Sequence, residues 1–233
     1  MNILDSLKTR RGFLLHSGSL IGLAALSSPA QLLGCRAKEE KAGEVTATED
    51  LMREHGVLQR LLLIFADLEG RLQQTRGFPP NLLVDTACLV RTFIQDYHEK
   101  LEEDYVFPRF EKSGKLVDLV QTLRRQHEAG RKIIDFLQSP LEALDPKNRV
   151  KTVSYLQAFA RMYRAHAARE DTVLFPAFRS VVLPAEFLEL GDKFEDQEEA
   201  RFGKEGYEKI VAQVAGLEKA LGLEDLSQFT PQI

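Results

Sequence analysis

Apolar residues recur at steps of three, four and seven along four long stretches of this chain, the spacing of one face of an α-helix. The first stretch, from Thr46 or Thr48 to about Gln74, carries Leu51, His55, Leu58, Leu62, Phe65 and Leu72. Thr46 and Glu49 are spaced for a capping box at its start, and Gly77-Phe78-Pro79-Pro80 stops it. The second, about Asn81 to Phe107, carries Ala87, Ile94, His98, Leu101 and Tyr105. Pro108 is expected to end it, since proline lacks the N–H that continues the ladder. The third, about Lys115 to Gln138, carries Leu116, Val120, Leu123, His127, Gly130, Ile134 and Leu137. The fourth opens at Asp145-Pro146, an N-cap residue with proline at the first helical position, and runs to about Phe175 through Leu156, Phe159, Tyr163, His166, Glu170 and Val173. Four amphipathic helices with short connections predict an all-α fold, an antiparallel up-and-down four-helix bundle over residues 48–180. Each buried stripe holds one histidine.

Beyond Pro184 the pattern is helical but highly charged from Glu186 to Glu208, followed by a modest stripe through Ile210, Val211, Val214, Leu217 and Leu221. Residues 181–233 therefore read as a helical extension packed on the bundle, with no chemistry visible in it. Residues 36–47 lack periodicity and read as a tether. Residues 1–35 differ in kind. Arg10 and Arg11 precede a charge-free run to Cys35 and resemble a twin-arginine export signal. Leu32-Leu33-Gly34-Cys35 resembles a lipoprotein processing site, with Cys35 as the lipidated first residue of the mature chain. Cleavage after Ser28-Pro29-Ala30 and retention as an anchor are the alternatives, although Ser, Gly, Pro and His interrupt the apolar run and argue against a stable span. The expected location is periplasmic or otherwise extracytoplasmic, held to a membrane by an N-terminal lipid.

Composition narrows the partners. With 31 Lys and Arg against 35 Asp and Glu, a formal charge of −4, the chain has no basic footprint for nucleic acid. Only two cysteines occur, so lipidation of Cys35 would leave Cys88 without a disulfide partner, and Cys88 reads as a small buried apolar residue.

The histidines fall into two matching halves. Arg53-Glu54-His55 opens the first and Arg125-Gln126-His127 the second, and about forty residues later each half repeats H-x-x-x-E-x-x-x-x-F-P-x-F. In the first half this string is His98, Glu102, Phe107, Pro108 and Phe110; in the second it is His166, Glu170, Phe175, Pro176 and Phe178. Residues four apart on a helix point the same way, so four imidazoles and two carboxylates are aimed into the interior. Buried carboxylates are costly unless paired or bound to a cation, which makes these six residues candidate metal ligands. One histidine on an apolar stripe is an ordinary core residue; four on four stripes, two of them followed by glutamate, point to metal. His98-Glu99-Lys100-Leu101-Glu102 approaches the H-E-x-x-H of zinc proteases, but its twin at His166-Ala167-Ala168-Arg169-Glu170 has no glutamate to act as base. The Glu-x-x-His pairs of ferritin-like di-iron bundles are absent, since Met52, Gln95, Arg124 and Tyr163 precede the histidines by three.

The repeated H-x-x-x-E…F-P motif, over roughly residues 48–180, resembles the hemerythrin-like HHE cation-binding domains. That resemblance implies a non-haem di-iron centre, bridged by an oxo or hydroxo group, with His55, His98, His127 and His166 as terminal ligands and Glu102 and Glu170 as bridges. Manganese or zinc would suit the same donors. Oxygen-carrying hemerythrins place a further histidine four residues after the ligand on the third helix; here that residue is Arg131, and its first-helix counterpart is Gln59. Both metals would then keep a position open to O2, NO or peroxide, for sensing, scavenging or storage. The alternative is an iron-storage or metal-binding module without small-gas chemistry. Tyr163, one turn before His166, is expected beside the centre as an outer hydrogen-bond donor or a redox-active ring. Phe107 and Phe175 read as packing residues that exclude water, and Glu99 as a surface glutamate, with an extra oxygen ligand beside His98 as the alternative. No nucleophile–base pair or phosphate loop indicates turnover.

Overall fold

The computed structural model describes residues 45–232. Arg10, Arg11, Cys35 and most of the tether lie outside the described residues. The described residues are all-helical and include no strand.

Helix α1, Ala47–Gln73, begins with the expected capping box: the Thr46 hydroxyl accepts the Glu49 N–H, and the Glu49 carboxylate accepts the Thr46 N–H at 2.9 Å. Helix α2 covers residues 80–113 in successive pieces. Pro80–Leu89 is α-helical, Val90–His98 is π-helical, Glu99–Leu101 is α-helical, Glu102–Val106 is again π-helical and Phe107–Ser113 completes it. Gly114, at φ 70°, ends α2 in the left-handed conformation that glycine adopts without strain. The expected stop at Pro108 is therefore wrong. A π turn closes its hydrogen bonds five residues back, so the α-helical piece after it starts a new register. Pro108 falls in the first turn of that piece, where proline is tolerated, and the Arg124 side chain donates to the Glu103 carbonyl of the preceding turn.

Helix α3 is Val117–Leu137. A single turn at Pro140–Ala143, which periodicity did not predict, leads to a 3-10 turn at Pro146–Asn148, capped by Asp145 accepting the Lys147 N–H at 2.8 Å. Helix α4 covers residues 149–178: Arg149–Arg169, then the π-helical Glu170–Leu174, then Phe175–Phe178 with Pro176 inside. The two halves thus repeat their π turns as well as their residues. The wider turns also move the buried stripe by one position. Val106 and Leu174 are buried where Tyr105 and Val173 were expected.

Helices α1 to α4 contact one another in a closed cycle, α1 with α2, α2 with α3, α3 with α4 and α4 with α1. The extension forms α5, Pro184–Phe202, and α6, Gly206–Leu221, both lying on α1, with α6 also on α2. The apolar stripes fill the interior: Leu51, Leu58, Phe65, Phe93, Ile94, Val120, Ile134, Leu156 and Phe159 are all buried. No helix among the described residues is long and apolar enough to cross a membrane.

Candidate metal centre

The cycle of helices brings the six candidate ligands together, and all six are at most 3% exposed. His55 comes from α1, His98 and Glu102 from α2, His127 from α3, and His166 and Glu170 from α4. The imidazoles form two pairs. The rings of His55 and His98 lie 4.7 Å apart, and those of His127 and His166 lie 4.9 Å apart. Each carboxylate reaches both pairs. Glu102 Oε1 is 3.7 Å from His98 Nε2 while its Oε2 is 3.5 Å from His127 Nε2. Glu170 Oε2 is 3.4 Å from His55 Nε2 and 3.0 Å from His166 Nε2. Phe175 stacks on His55 and Phe107 on His127, at 5.6 and 5.5 Å.

Every imidazole is also held from behind through Nδ1. His55 meets Asp171 at 2.7 Å, His98 meets Glu54 at 2.8 Å, His127 meets Glu103 at 3.1 Å and His166 meets Gln126 at 2.9 Å. Such acceptors fix the ring orientation and leave Nε2 as the inward donor. Sequence reasoning missed all four, yet their signal was present. They are the residues just before the first histidine of each half and just after each glutamate, and they repeat with the rest of the motif.

The centre is electrostatically unsettled by itself. Burial pushes Glu102 well above the usual carboxylate range, helped by Glu170 beside it. Glu170 suffers the same burial, but His166 and His55 outweigh it and hold its carboxyl well below that range. Burial would lower His55, yet the hydrogen bond to Asp171 and the nearby Glu170 carboxylate lift it to about 9. His98 goes well down, through burial and the charge of His55. Both oxygens of Glu102, both of Glu170 and His55 Nε2 are buried with no hydrogen-bond partner. Buried polar atoms are normally satisfied, and nitrogen and carboxylate oxygen donors converging on one point are what a divalent cation needs. The residues present fit a metal.

A family model for the hemerythrin HHE cation binding domain matches residues 46–178. The chain belongs to the hemerythrin family. It is 45% identical over 231 residues to the uncharacterized protein Rv1995 of Mycobacterium tuberculosis, covering 95% of this chain and 91% of that one. The uncharacterized protein Mb2018 of Mycobacterium bovis is similar to the same extent. No solved structure matches this chain.

In this hemerythrin-family chain, the place of the further third-helix histidine is taken by Arg131, which belongs to a hydrogen-bonded cluster. Arg131 donates to Glu99 at 2.8 Å and to Glu103 at 2.6 Å. The Tyr163 hydroxyl donates to Glu99 at 2.5 Å, and the Tyr163 ring lies 5.4 Å from His166. Glu99 is thus no surface residue: it is 1% exposed, enclosed by α3 and α4, with both oxygens engaged. Burial and the charge of Glu99 hold the Tyr163 phenol well above its ordinary value, so it stays protonated and donates. Burial would raise Glu103, but bonds from His127, Arg131 and Lys100 hold its carboxyl below the usual range. Gly130 makes room for Tyr163, since a Cβ there would stand 2.2 Å from the phenolic oxygen. Gln95, fully buried one turn before Glu99, lies against the phenol, yet neither amide atom meets a partner with hydrogen-bond geometry.

The extension contributes more than packing. Glu198 of α5 brings a carboxylate oxygen within 4.8 Å of Asp50 and of Glu54, the residue that holds His98. Cys88 lies away from the centre, only half-buried, and accepts a hydrogen bond from Gln138 at 3.5 Å.

Proposed function

We propose that this hemerythrin-family protein is an up-and-down four-helix bundle carrying two irons, which binds O2, NO or peroxide outside the cytoplasm. His55 and His98 would hold one metal and His127 and His166 the other, with Glu102 and Glu170 shared between them. One observation carries this reading. Four buried imidazole Nε2 atoms converge on two fully buried carboxylates whose oxygens have no hydrogen-bond partner. The cycle of helix contacts supports the bundle topology.

Two histidines and two shared carboxylates would leave each metal with positions that the protein does not fill. Iron, when bound, supplies redox-active positions at which a diatomic gas or peroxide can ligate. The chain's own residues orient and shield that site. Asp171, Glu54, Glu103 and Gln126 hold the four rings, Phe107 and Phe175 cover two of them, and the Tyr163 hydroxyl stays protonated and donates to Glu99 beside His166. Export rests on Arg10, Arg11 and Cys35, and a metal loaded during folding suits a route that carries folded proteins.

Metal analysis with a near-ultraviolet spectrum tests the reading. About two irons per chain, with a charge-transfer band that shifts on adding peroxide or NO, are expected; replacing His127 and His166 by alanine should lower the iron content to about one and abolish the band of the paired centre. A folded wild type that takes up no metal would overturn it.

A further inference from the structure

We infer that the two metal pockets are unequal, and that His55 and His98 hold their cation at least about tenfold more tightly than His127 and His166. The inference rests on the two-metal reading above. Inward-facing donors do not separate the pockets, since each has two Nε2 atoms and a share of the same two carboxylates. The difference lies behind the rings.

With a cation on Nε2, the ring proton sits on Nδ1 and is donated outward, and a carboxylate acceptor makes the imidazole a stronger ligand than a neutral acceptor does. In the first pocket both acceptors are carboxylates, Asp171 at 2.7 Å and Glu54 at 2.8 Å, and Glu54 is fully buried, where its charge is little screened. In the second pocket His166 donates to the amide of Gln126 at 2.9 Å. His127 donates to Glu103 Oε1 at 3.1 Å, and that same oxygen receives Arg131 at 2.6 Å. Glu99 Oε2 approaches His127 Nδ1 only to 3.9 Å and is spent on Arg131, while its other oxygen is spent on Tyr163. Two carboxylates therefore back the first pocket, whereas one of the two acceptors of the second is an amide. Glu99 and Glu103 back the second with Arg131 between them. The neutral acceptor and the arginine both weaken the second pocket.

The walls follow the same division. Around His55 the motif positions hold buried Leu58 and Ala167; around His127 the matching positions hold Gly130, which admits the Tyr163 phenol, and Glu99. At these matching positions the residues are apolar on the first side and polar or absent on the second.

Cobalt(II) titration of the metal-free full chain, read by visible absorption, tests this. Two double variants isolate the pockets and remove any repulsion between neighbouring cations: His127→Ala with His166→Ala keeps the first, and His55→Ala with His98→Ala keeps the second. The first-pocket protein should bind cobalt with a Kd at least about tenfold lower. Adding Gln126→Glu to the second-pocket protein should tighten it about tenfold, and adding Asp171→Asn to the first-pocket protein should weaken it by a similar factor. Circular dichroism checks that each variant is helical. Should either double variant fail to fold, Gln126→Glu in the otherwise unaltered chain should narrow the gap between the two binding steps. Equal affinities, or a gap that Gln126→Glu leaves unchanged, would overturn the inference while leaving the two-metal reading intact. A folded wild type that binds no cobalt would instead overturn the two-metal reading.

Discussion

His55 and His127 occupy matching places in the two halves, each stacked on a phenylalanine and tied to an acidic residue that follows the other half's glutamate. Their neighbours diverge. Leu58, Gln59, Gln95 and Ala167 in one set of positions correspond to Gly130, Arg131, Tyr163 and Glu99 in the other. Agreement covers the side chains that converge on the centre and the π turns that aim them. Divergence gathers on one side, where α2, α3 and α4 enclose the Tyr163–Glu99–Arg131 cluster. On the proposed two-metal reading, the lesson is a division of labour within a repeat: the shared residues would make a place for two cations, and the unshared ones would make those places different.

The largest expected effect should strike both halves alike. Replacing Glu102 and Glu170 together by glutamine removes both shared carboxylates, and metal content should fall from about two per chain to near zero. Retention of one metal would show that the pockets share less than the geometry indicates.

The next effect should fall on the first half alone. His55 in the metal-free protein has its pKa raised to about 9 from an ordinary 6.5. The stabilisation is thus fully present below pH 6.5 and is lost as pH rises through 9, amounting to about 3 kcal/mol. Urea unfolding of the metal-free protein across that window should show the loss, and Asp171→Asn should flatten most of it.

Two smaller effects belong to the second half. Gly130→Ala drives a methyl group into the Tyr163 phenol and should destabilise by about 2 kcal/mol, read as a lower urea midpoint. Tyr163→Phe removes one of the two donors to Glu99 and should cost about 1 kcal/mol. If both variants proved neutral, the polar cluster would have no part in holding that side together.

Much of this architecture was legible from the repeat. The all-helical class, the capping box at Thr46 and Glu49, and the grouping of four histidines with two glutamates all follow from residue types at helical spacing. What spacing concealed was the change of period. A stripe counted at threes and fours places Tyr105 and Val173 inside and stops α2 at Pro108, whereas π turns at Glu102–Val106 and Glu170–Leu174 bury Val106 and Leu174 and carry the helix past each proline. Glu99 was misplaced for a different reason. The residue beside a buried histidine points about 100° away, which means solvent on an isolated helix. On a helix flanked by two neighbours it can face a third. Glu198 on a charged extension is the same case, buried because α5 lies on α1.

The reach from His55 to Asp171 and Glu170 spans more than a hundred residues of chain. A ribosome must therefore release almost the whole bundle before the first histidine meets the groups that secure it. Neither half, made by itself, carries a finished pocket, because each lends its final turn to the other. Arrival of the last bundle helix and completion of the centre are one event, so a bound metal certifies that the bundle has been assembled from end to end.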